Sequence, residues 1–511
     1  MKNTAIHENG IMRKQQKKNK EYTIKNDRGY NVIQIIINIY LILMVGVFPL
    51  FFTDKYINIV QSKRFFFEIV TIGFIVIMAA AFISYNEKIM IDKRYILFIG
   101  IFALALIVSV ILSDNKINSM FAMSGRMYGT VYMFICLLSF IIIAGKWIPK
   151  IWLIWLFCGI NIFMSEMIIL DNWHVDLMGM KSNLVERQYK SFTGTMGNIN
   201  VNASYMAIVL PVVSGLFYVC YVKNVSRTKK WIAYIGTIVV MMASVCTRSD
   251  SVYMSVAGTL GIMLFFSVND KKKMKAVTCI FASFAIALTI IGILYNVFNS
   301  RAYEFSKSNL FMCKGPGTIG MWVITTVLLI LCISIEKEKN LTKKLIIVGI
   351  TFALVTLIVL AVLYVIINFD DSFGSNRGYV WKRTVHIIRE EGIIRFLFGH
   401  GMNNFSSVFN RYYLDEMSQK FDSPFIDAHC EPLQFMITTG FTGSVGYFGM
   451  MAVSLKKGID DVGKNPIFII EIATITSYFL QGLVNNPQVF TLPLIFIFIS
   501  VFESIHKSYK G

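Results

Sequence analysis

One polar segment, residues 369–431, interrupts a chain that is otherwise rich in apolar runs. It contains Arg377 after a Gly-Ser-Asn sequence, a glycine-rich stretch at residues 399–405, and His429 two positions after Asp427. An imidazole can take a proton near neutral pH, and a guanidinium offers paired donors to phosphate oxygens. The segment therefore has the residue types needed for proton transfer next to a bound phosphate.

The composition of the rest of the chain is typical of a membrane protein. Hydrophobic residues make up 55% of the sequence and charged residues 15%, and the mean hydropathy is +0.60. These values exclude an ordinary soluble globular protein. We count about fourteen apolar runs near the roughly 20 residues that a helical span requires. The prediction is an all-α polytopic integral membrane helix bundle of about 12–14 transmembrane helices, with one large external loop containing short helices.

The distribution of basic residues predicts the orientation of the chain. The net charge is +19. In a soluble protein this charge would suggest nucleic acid, but here the basic residues lie between spans and near the amino terminus. We expect a basic cytoplasmic tail at residues 1–30 and an integral membrane domain at 31–511, with a large extracytoplasmic loop at 368–431. Both termini are then cytoplasmic, in a multi-pass plasma-membrane protein.

The long loop has its own helical pattern. Trp381, Val385 and Ile388 fall on one stripe at helical spacing, which predicts a helix lying on the membrane or on the bundle. Ser375 or Asn376 is the expected N-cap residue of this helix.

The loop should then turn and return to the membrane. Gly392 and the glycines of residues 399–401 are expected to end the first helix, and residues 405–413 to form another short one. Pro432 suits the first turn of the next membrane helix. His429 should therefore lie just before that helix, at the outer membrane surface.

Three further polar motifs fall on the same predicted face. They are residues 197–200, which include Asn198 and Asn200, residues 247–250, which include Arg248, and residues 485–487. We expect them to converge with the long loop.

These motifs, in this order, resemble those of the O-antigen ligases and related polysaccharide polymerases. The matching segments are G-N-I-N at 197–200, T-R-S-D at 247–250, R-G-Y-V-W at 377–381, G-H-G-M-N-N-F at 399–405 and A-H-C-E-P-L-Q at 428–434. Two positions differ from the family pattern. Cys430 stands where the family usually has Asn, and Asp250 stands where it has Arg, with Arg248 two residues earlier.

The resemblance implies a membrane glycosyltransferase. Such an enzyme transfers a glycan from an undecaprenyl-diphosphate-linked donor to a hydroxyl acceptor on the outer face, without metal or another cofactor. The implied partners are a lipid-linked oligosaccharide donor, a glycan or glycolipid acceptor and the lipid bilayer, with no nucleic acid. A ligase and a polymerase differ in the acceptor.

Three residues are candidates for catalysis in this chemistry. His429 is the candidate base, although it could instead cap the helix or bond a loop carbonyl. Arg377 is the candidate phosphate ligand, with interfacial snorkelling as the alternative. Arg248 is a third candidate, and a local ion pair with Asp250 would explain it equally well.

Four more residues are weaker candidates for substrate binding: Asn198, Asn200, Gly401 and Asn404. The asparagine side chains suit sugar hydroxyls, but helix capping explains Asn198 and a turn explains Asn404.

A lipid-linked oligosaccharide flippase or transporter is the alternative function. Glu166 and Glu471 lie in or near spans, where a carboxylate is costly and is often functional. The large one-sided loop favours the enzyme. An unrelated sugar transferase would need acidic residues in the first outer loop, where Asp54 stands alone.

Overall fold

The computed structural model describes residues 29–334, 369–421 and 424–510. Helices form most of these ranges. The helices before the polar segment are α1 (Gly29–Val47), α2 (Ile59–Tyr85), α3 (Lys93–Leu112), α4 (Lys116–Phe121), α5 (Thr130–Lys146), α6 (Trp152–Asp171), α7 (Ile199–Val222), α8 (Arg227–Cys246), α9 (Val252–Phe265), α10 (Lys271–Val297), α11 (Lys307–Lys314) and α12 (Pro316–Ser334). Those within and after it are α13 (Phe373–Glu390), α14 (Gly392–Phe398), α15 (Phe405–Lys420), α16 (Glu431–Asp461), α17 (Phe468–Gly482) and α18 (Leu492–Lys510).

Short elements connect some of these helices. Two 3₁₀ turns cover Glu186–Ser191 and Asn299–Arg301. A small antiparallel hairpin pairs β1 (Phe192–Thr193) with β2 (Gly197–Asn198) and leads directly into α7.

The all-α membrane architecture predicted from the sequence is confirmed. Among the described residues, eight helices are long and apolar enough to cross a bilayer: α1, α2, α3, α6, α7, α8, α10 and α18. The pair α11 and α12 passes the same test with a 49° bend between them, and α5, α9 and α17 are shorter apolar helices. The total of about 12–14 spans stays a prediction, because the apolar run near Leu345 and most of the tail at 1–30 lie outside the described ranges.

Helix α7 occupies the centre of the bundle. Within its apolar window 89% of the residues are buried inside the protein, against 28% for α2 and for α3. It packs against α8, α9, α10 and α17. The peripheral helices present exposed Ile, Phe and Val side chains, as expected where lipid replaces water.

The loop helix α14 packs closely against a break in α16. Gly440 has a φ of 69°, and a Cβ there would collide with the backbone at Leu397 and Phe398. The interruption frees carbonyl groups, and the N–H groups of His400 and Gly401 donate to Ile437 O (3.1 Å) and Thr438 O (2.8 Å). The break therefore fixes the chain that follows α14 onto α16.

The long loop and the start of α16 build a small hydrophobic core that is separate from the main one. Its buried members are Tyr379, Val380, Ile387, Phe405, Val408, Phe409, Met417, Ala428 and Ile437. The buried positions of α13 are Gly378, Tyr379, Val380, Thr384 and Ile387. The stripe through Val380, Thr384 and Ile387 is displaced by one residue from the stripe predicted through Trp381, Val385 and Ile388. The helix faces the loop core because that core, rather than lipid, supplies its apolar partners.

Two other expectations for the loop need correction. A separate helix, α14, lies between the two glycine breaks, and the helix expected at 405–413 continues to Lys420 with a kink at Tyr413. No side-chain cap forms at the start of α13. Ser375 and Asn376 instead have left-handed backbone conformations, with φ values of 60° and 71°.

Candidate active site

His429 lies directly before α16, as the sequence predicts. Cys430 is the N-cap residue of this helix, and a proline occupies its first turn. The backbone of His429 is left-handed, with a φ of 48°, and its N–H donates to Asp427 Oδ1 at 2.8 Å. The same carboxylate oxygen lies 3.3 Å from His429 Nδ1. Asp427 therefore holds both the backbone and the ring of His429.

Arg126 completes this arrangement from a distant part of the chain. Its Nε donates to Asp427 Oδ2 at 2.5 Å, and Asp427 is fully buried. The N–H of Arg126 donates to Asn403 Oδ1 at 3.1 Å, which fixes the turn that carries it. The result is a line of contacts from Arg126 through Asp427 to His429, with the half-buried imidazole at its end.

Burial and two nearby arginines favour the neutral form of the His429 imidazole. Burial alone would raise the pKa of the Asp427 carboxyl, but the charges of Arg126 and His429 bring it below its usual value. Burial is the largest influence on His429 and lowers the pKa of its imidazole. Arg126 and Arg377 lower it further, against the opposing charge of Asp427. A neutral ring near pH 7 can accept a proton, which is what a general base requires.

Arg377 lies in the same electrostatic neighbourhood. Burial lowers its pKa, and the carboxylates of Asp427 and Asp250 raise it in part, while the guanidinium remains charged. Its NH1 donates to Gly374 O at 3.1 Å, but the buried Nε has no hydrogen-bond partner among the described residues. A buried donor without a partner suits an incoming anion.

Trp381 connects the helix that carries Arg377 to the segment that carries His429. Its Nε1 donates to Ala428 O at 3.0 Å. The two motifs at 377–381 and 428–434 are therefore joined by a direct hydrogen bond, and the position of α13 is coupled to that of the base.

The segment from α11 to the middle of α16 is similar to a known protein family. Residues 309–448 match the family model described as O-antigen ligase. This segment is similar to the O-antigen ligase family, and we call it the ligase-like domain. It contains both Arg377 and His429, whereas Arg126 and Arg248 lie outside the matched residues. Together with the membrane helices, the match indicates a membrane glycosyltransferase-like ligase or polymerase in general terms. No curated protein matches the chain.

The glycine-rich turn of the ligase-like domain attaches it to the rest of the bundle. Asn404 is buried and donates to Ser113 Oγ (2.6 Å) and His400 O (3.2 Å), while its Oδ1 accepts from Asn118 Nδ2 (3.1 Å). Gly401 has a φ of 93°, and a Cβ there would collide with Ser119 Oγ. Asn404 and Gly401 therefore stabilise the structure through these contacts, and sugar binding by the two residues stays a prediction.

The asparagines before α7 also have local partners. Asn198 Oδ1 accepts the N–H of Asn200 at 2.9 Å and caps the helix. Asn200 Oδ1 accepts from Ser249 Oγ at 2.7 Å, and its carbonyl accepts from Asn485 Nδ2 at 2.9 Å. The motifs at 197–200, 247–250 and 485–487 therefore meet at one end of the bundle, as the sequence predicts.

The turn at 247–250 sends its two charged side chains in different directions. Asp250 accepts a hydrogen bond from Ser306 Oγ at 2.6 Å, and its negative charge raises the pKa of Arg377. Arg248 is buried, donates to Asn172 Oδ1 (3.5 Å) and lies beside Tyr303. No ion pair joins Arg248 to Asp250 in the part of the chain that the structure describes, and no described contact brings Arg248 to His429. Its catalytic role stays a prediction.

Sequence reasoning missed Arg126 and the supporting role of Asp427. The two residues are 301 positions apart, so no local motif joins them. One signal was present. Arg126 lies between Gly125 and Gly129 in a predicted outer loop, where basic residues are less frequent than in cytoplasmic loops.

Proposed function

We propose that the protein transfers a glycan from an undecaprenyl-diphosphate-linked donor to a hydroxyl acceptor on the outer face of the plasma membrane. The observation that carries the proposal is the Arg126–Asp427–His429 line with Arg377 beside it, where both Arg377 and His429 belong to the ligase-like domain. It supplies a base and an anion-binding group at one place, which is what this reaction needs.

The bond changes assign one task to each side chain. The acceptor oxygen attacks the anomeric carbon and gives its proton to His429 Nε2, and the bond from that carbon to the diphosphate breaks. The diphosphate leaves with the bonding electrons, and the positive charge of Arg377 stabilises it. Asp427 stabilises the imidazolium that forms, which later releases its proton to water. This route assigns no task to a metal.

An apolar groove offers a place for the donor's lipid. It has a volume of about 720 Å³ and lies between α9, α10, α11 and α12. Its described lining residues are Tyr253, Val256, Ala257, Leu260, Phe284, Lys307, Ser308, Phe311, Met312 and Met321. Lys307 follows Ser306, which bonds Asp250, and Asp250 acts on Arg377. A lipid tail in this groove would thus place its diphosphate near Arg377.

Reconstitution of the reaction tests the proposal. The purified protein in proteoliposomes is given an undecaprenyl-diphosphate oligosaccharide and the glycolipid fraction of the source membranes, and product is followed by gel and mass spectrometry. His429→Ala should lower the rate about 10²–10⁴-fold, the usual contribution of a general base. The rate of Arg377→Lys should also fall well below that of the wild type, because lysine keeps the positive charge but loses the paired donors of the guanidinium.

His386→Ala is the matched control, because this exposed histidine lies on α13 and contacts only Tyr413 OH (2.8 Å) among its described hydrogen-bond partners. It should retain wild-type activity. Full activity in His429→Ala would remove the base from the mechanism. Chelator should leave the rate unchanged, and strong inhibition by chelator would contradict a metal-free reaction.

A lipid-linked oligosaccharide flippase is the second candidate, favoured by a buried polar cluster at the opposite end of the bundle. Glu471 is fully buried, accepts from Ser454 Oγ at 2.5 Å and lies 2.8 Å from His506 Nε2. Such groups suit proton-coupled transport. Proteoliposomes that move a fluorescent lipid-linked glycan across the bilayer, with loss in Glu471→Gln and no glycosyl transfer, would support this function instead.

A further inference from the structure

A polar cavity adjoins the 247–250 turn, where the chain after α6 approaches the β hairpin. It has a volume of about 240 Å³, and Asp171, His174, Lys181, Ser182, Tyr189 and Tyr303 are among its lining residues. The transfer step proposed above uses none of these side chains.

Two cations hold the Tyr303 ring that forms part of the wall. Lys181 Nζ lies 4.3 Å from the ring centroid and donates to the Tyr303 hydroxyl at 3.0 Å. The guanidinium carbon of Arg248 lies 4.5 Å from the same centroid. Arg248 also donates to Phe192 O at 3.4 Å, which ties the wall to β1. Several side-chain contacts therefore hold this wall of the cavity in place.

The cavity contains a carboxylate with unused hydrogen-bonding capacity. Asp171 is only 5% exposed, and its Oδ1 forms an ion pair with Lys181 Nζ at 2.5 Å. Its Oδ2 has no hydrogen-bond partner of normal geometry among the described residues, and with the nearby Thr193 hydroxyl as one donor it can still accept another. A ligand hydroxyl that donates to this oxygen would therefore be stabilised here.

The charges around the cavity select the class of ligand. The carboxylates of Asp171 and Asp176 offset the cations of Lys181 and Arg248, so a phosphate would meet as much repulsion as attraction. Hydroxyl groups can donate to a carboxylate and accept from an ammonium group at the same time. The ring of Tyr189 adds an apolar face of the kind that packs against the C–H groups of a sugar.

We propose that this cavity binds one sugar ring of a neutral, hydroxyl-rich glycan, and that it is the acceptor subsite of the transferase. Its volume is slightly below the roughly 300–1,000 Å³ of pockets for drug-sized ligands, which suits a single ring. Arg248 is then a positioning residue that acts through Tyr303. The assignment to the acceptor rests on the proposed function, whereas sugar binding does not.

The 247–250 turn connects the cavity to the donor side. Arg248 packs against the cavity wall, and Asp250, two residues later, acts on Arg377. Ser249 between them bonds Asn200 at 2.7 Å and anchors the turn to α7. A glycan held in the cavity would thus lie across one short turn from the diphosphate.

Protection from thiol labelling tests sugar binding without any activity. Ser182→Cys places a thiol at the exposed edge of the cavity, and none of the eight native cysteines is exposed. The probe is the free glycan released by mild acid from the glycolipid fraction of the source membranes, which supplies the acceptor. At a concentration tenfold above its Kd, it should slow labelling by a membrane-impermeant maleimide about tenfold, because the fraction of free sites is 1/(1 + [L]/Kd).

Ser418→Cys on α15 is the matched control, and its labelling should not change. Inorganic pyrophosphate should give no protection at Ser182→Cys. Protection by pyrophosphate and not by glycan would identify an anion site and overturn the proposal, as would unchanged labelling in saturating glycan.

Acceptor kinetics test the assignment to the acceptor. Tyr189→Ala removes the aromatic face and should raise KM for the acceptor about tenfold, the effect of one lost ring contact, with kcat and the donor KM unchanged. Tyr189→Phe should restore the wild-type KM. If wild type makes product but the acceptor KM of Tyr189→Ala does not change, the acceptor subsite is wrong and the proposed function stands. If wild type makes no product while glycan still protects Ser182→Cys, the proposed function fails and the sugar site stands.

Discussion

At the scale of single residues, the arrangement around His429 separates the proton acceptor from the anion-binding group. Asp427 contacts the ring of His429, and Arg126 fixes Asp427 from the other side. Arg377 acts on the same imidazole through its charge. A position at a helix N-terminus disfavours the imidazolium form of a histidine. In the structure, burial is the main cause of the lowered pKa of His429, and the charges of Arg126 and Arg377 lower it further.

The pH dependence of the rate should follow the imidazole. Its pKa lies below the usual 6.5, so the base is already neutral at pH 7. We expect kcat to be steady at about pH 7–8 and to fall about tenfold per unit once the pH drops below the pKa of His429. Steady-state rates across this range check the prediction. A rate that declines already between pH 8 and about 7 would require a raised pKa and would contradict it.

Asp427→Asn should change both the rate and the pH profile. The carboxylate stabilises the imidazolium and opposes the lowering of its pKa, so its loss should reduce kcat about 10²-fold or more and move the acidic limb to lower pH. Asp415→Asn on the exposed side of α15 is the control and should behave as wild type. An unchanged profile in Asp427→Asn would show that the contact has no part in catalysis.

At the scale of elements, glycine positions decide how the ligase-like domain is attached. The break at Gly440 receives α14, and the following turn bonds to the freed carbonyls of α16. Asn404 then joins this turn to the chain after α3. The candidate site is thus held by contacts between elements distant in sequence.

Gly401→Ala should destabilise the protein more than Gly392→Ala. Both glycines have positive φ, which costs an alanine about 1–2 kcal/mol. At Gly392 a Cβ meets no atom within 4 Å, whereas at Gly401 it collides with Ser119. The collision should add about 1–3 kcal/mol. Thermal unfolding in detergent measures the difference, and equal melting temperatures would contradict the clash.

The helices could be predicted from the sequence better than the tertiary contacts between them. Every apolar run that falls on described residues coincides with a helix, and Pro432 placed His429 correctly, because these features depend on local composition. The Arg126–Asp427 contact and the different directions of Arg248 and Asp250 depend on tertiary packing, which a single sequence does not encode locally. The one-residue shift of the α13 stripe also results from tertiary packing, because contacts with the loop core determine which face of α13 is buried.

At the scale of the whole molecule, polar motifs gather at one end of the bundle and charged networks at the other. Residues 197–200, 247–250 and 485–487 meet at the first end. At the second, Lys457 lies 3.2 Å from Asp92, and His506 lies 2.9 Å from Asp461. The excess of Lys and Arg in the loops at this second end predicts that it is cytoplasmic.

Cysteine labelling in intact cells measures this orientation. A thiol at Ser418→Cys should react with a membrane-impermeant maleimide added from outside, whereas Ser226→Cys, before α8, should react only after lysis. Both serines are exposed, so access to water is matched. The reverse pattern would invert the topology and place the candidate site in the cytoplasm.

The separate core of the long loop has a consequence for biogenesis. Its apolar contacts, such as Tyr379 with Phe409, lie apart from the large cluster that holds the transmembrane helices together. Damage to this small core should therefore spare insertion and cellular abundance while it displaces Trp381 and the segment it bonds. Inactive variants that map there would resemble catalytic lesions, although they alter only the scaffold that aligns the reacting groups.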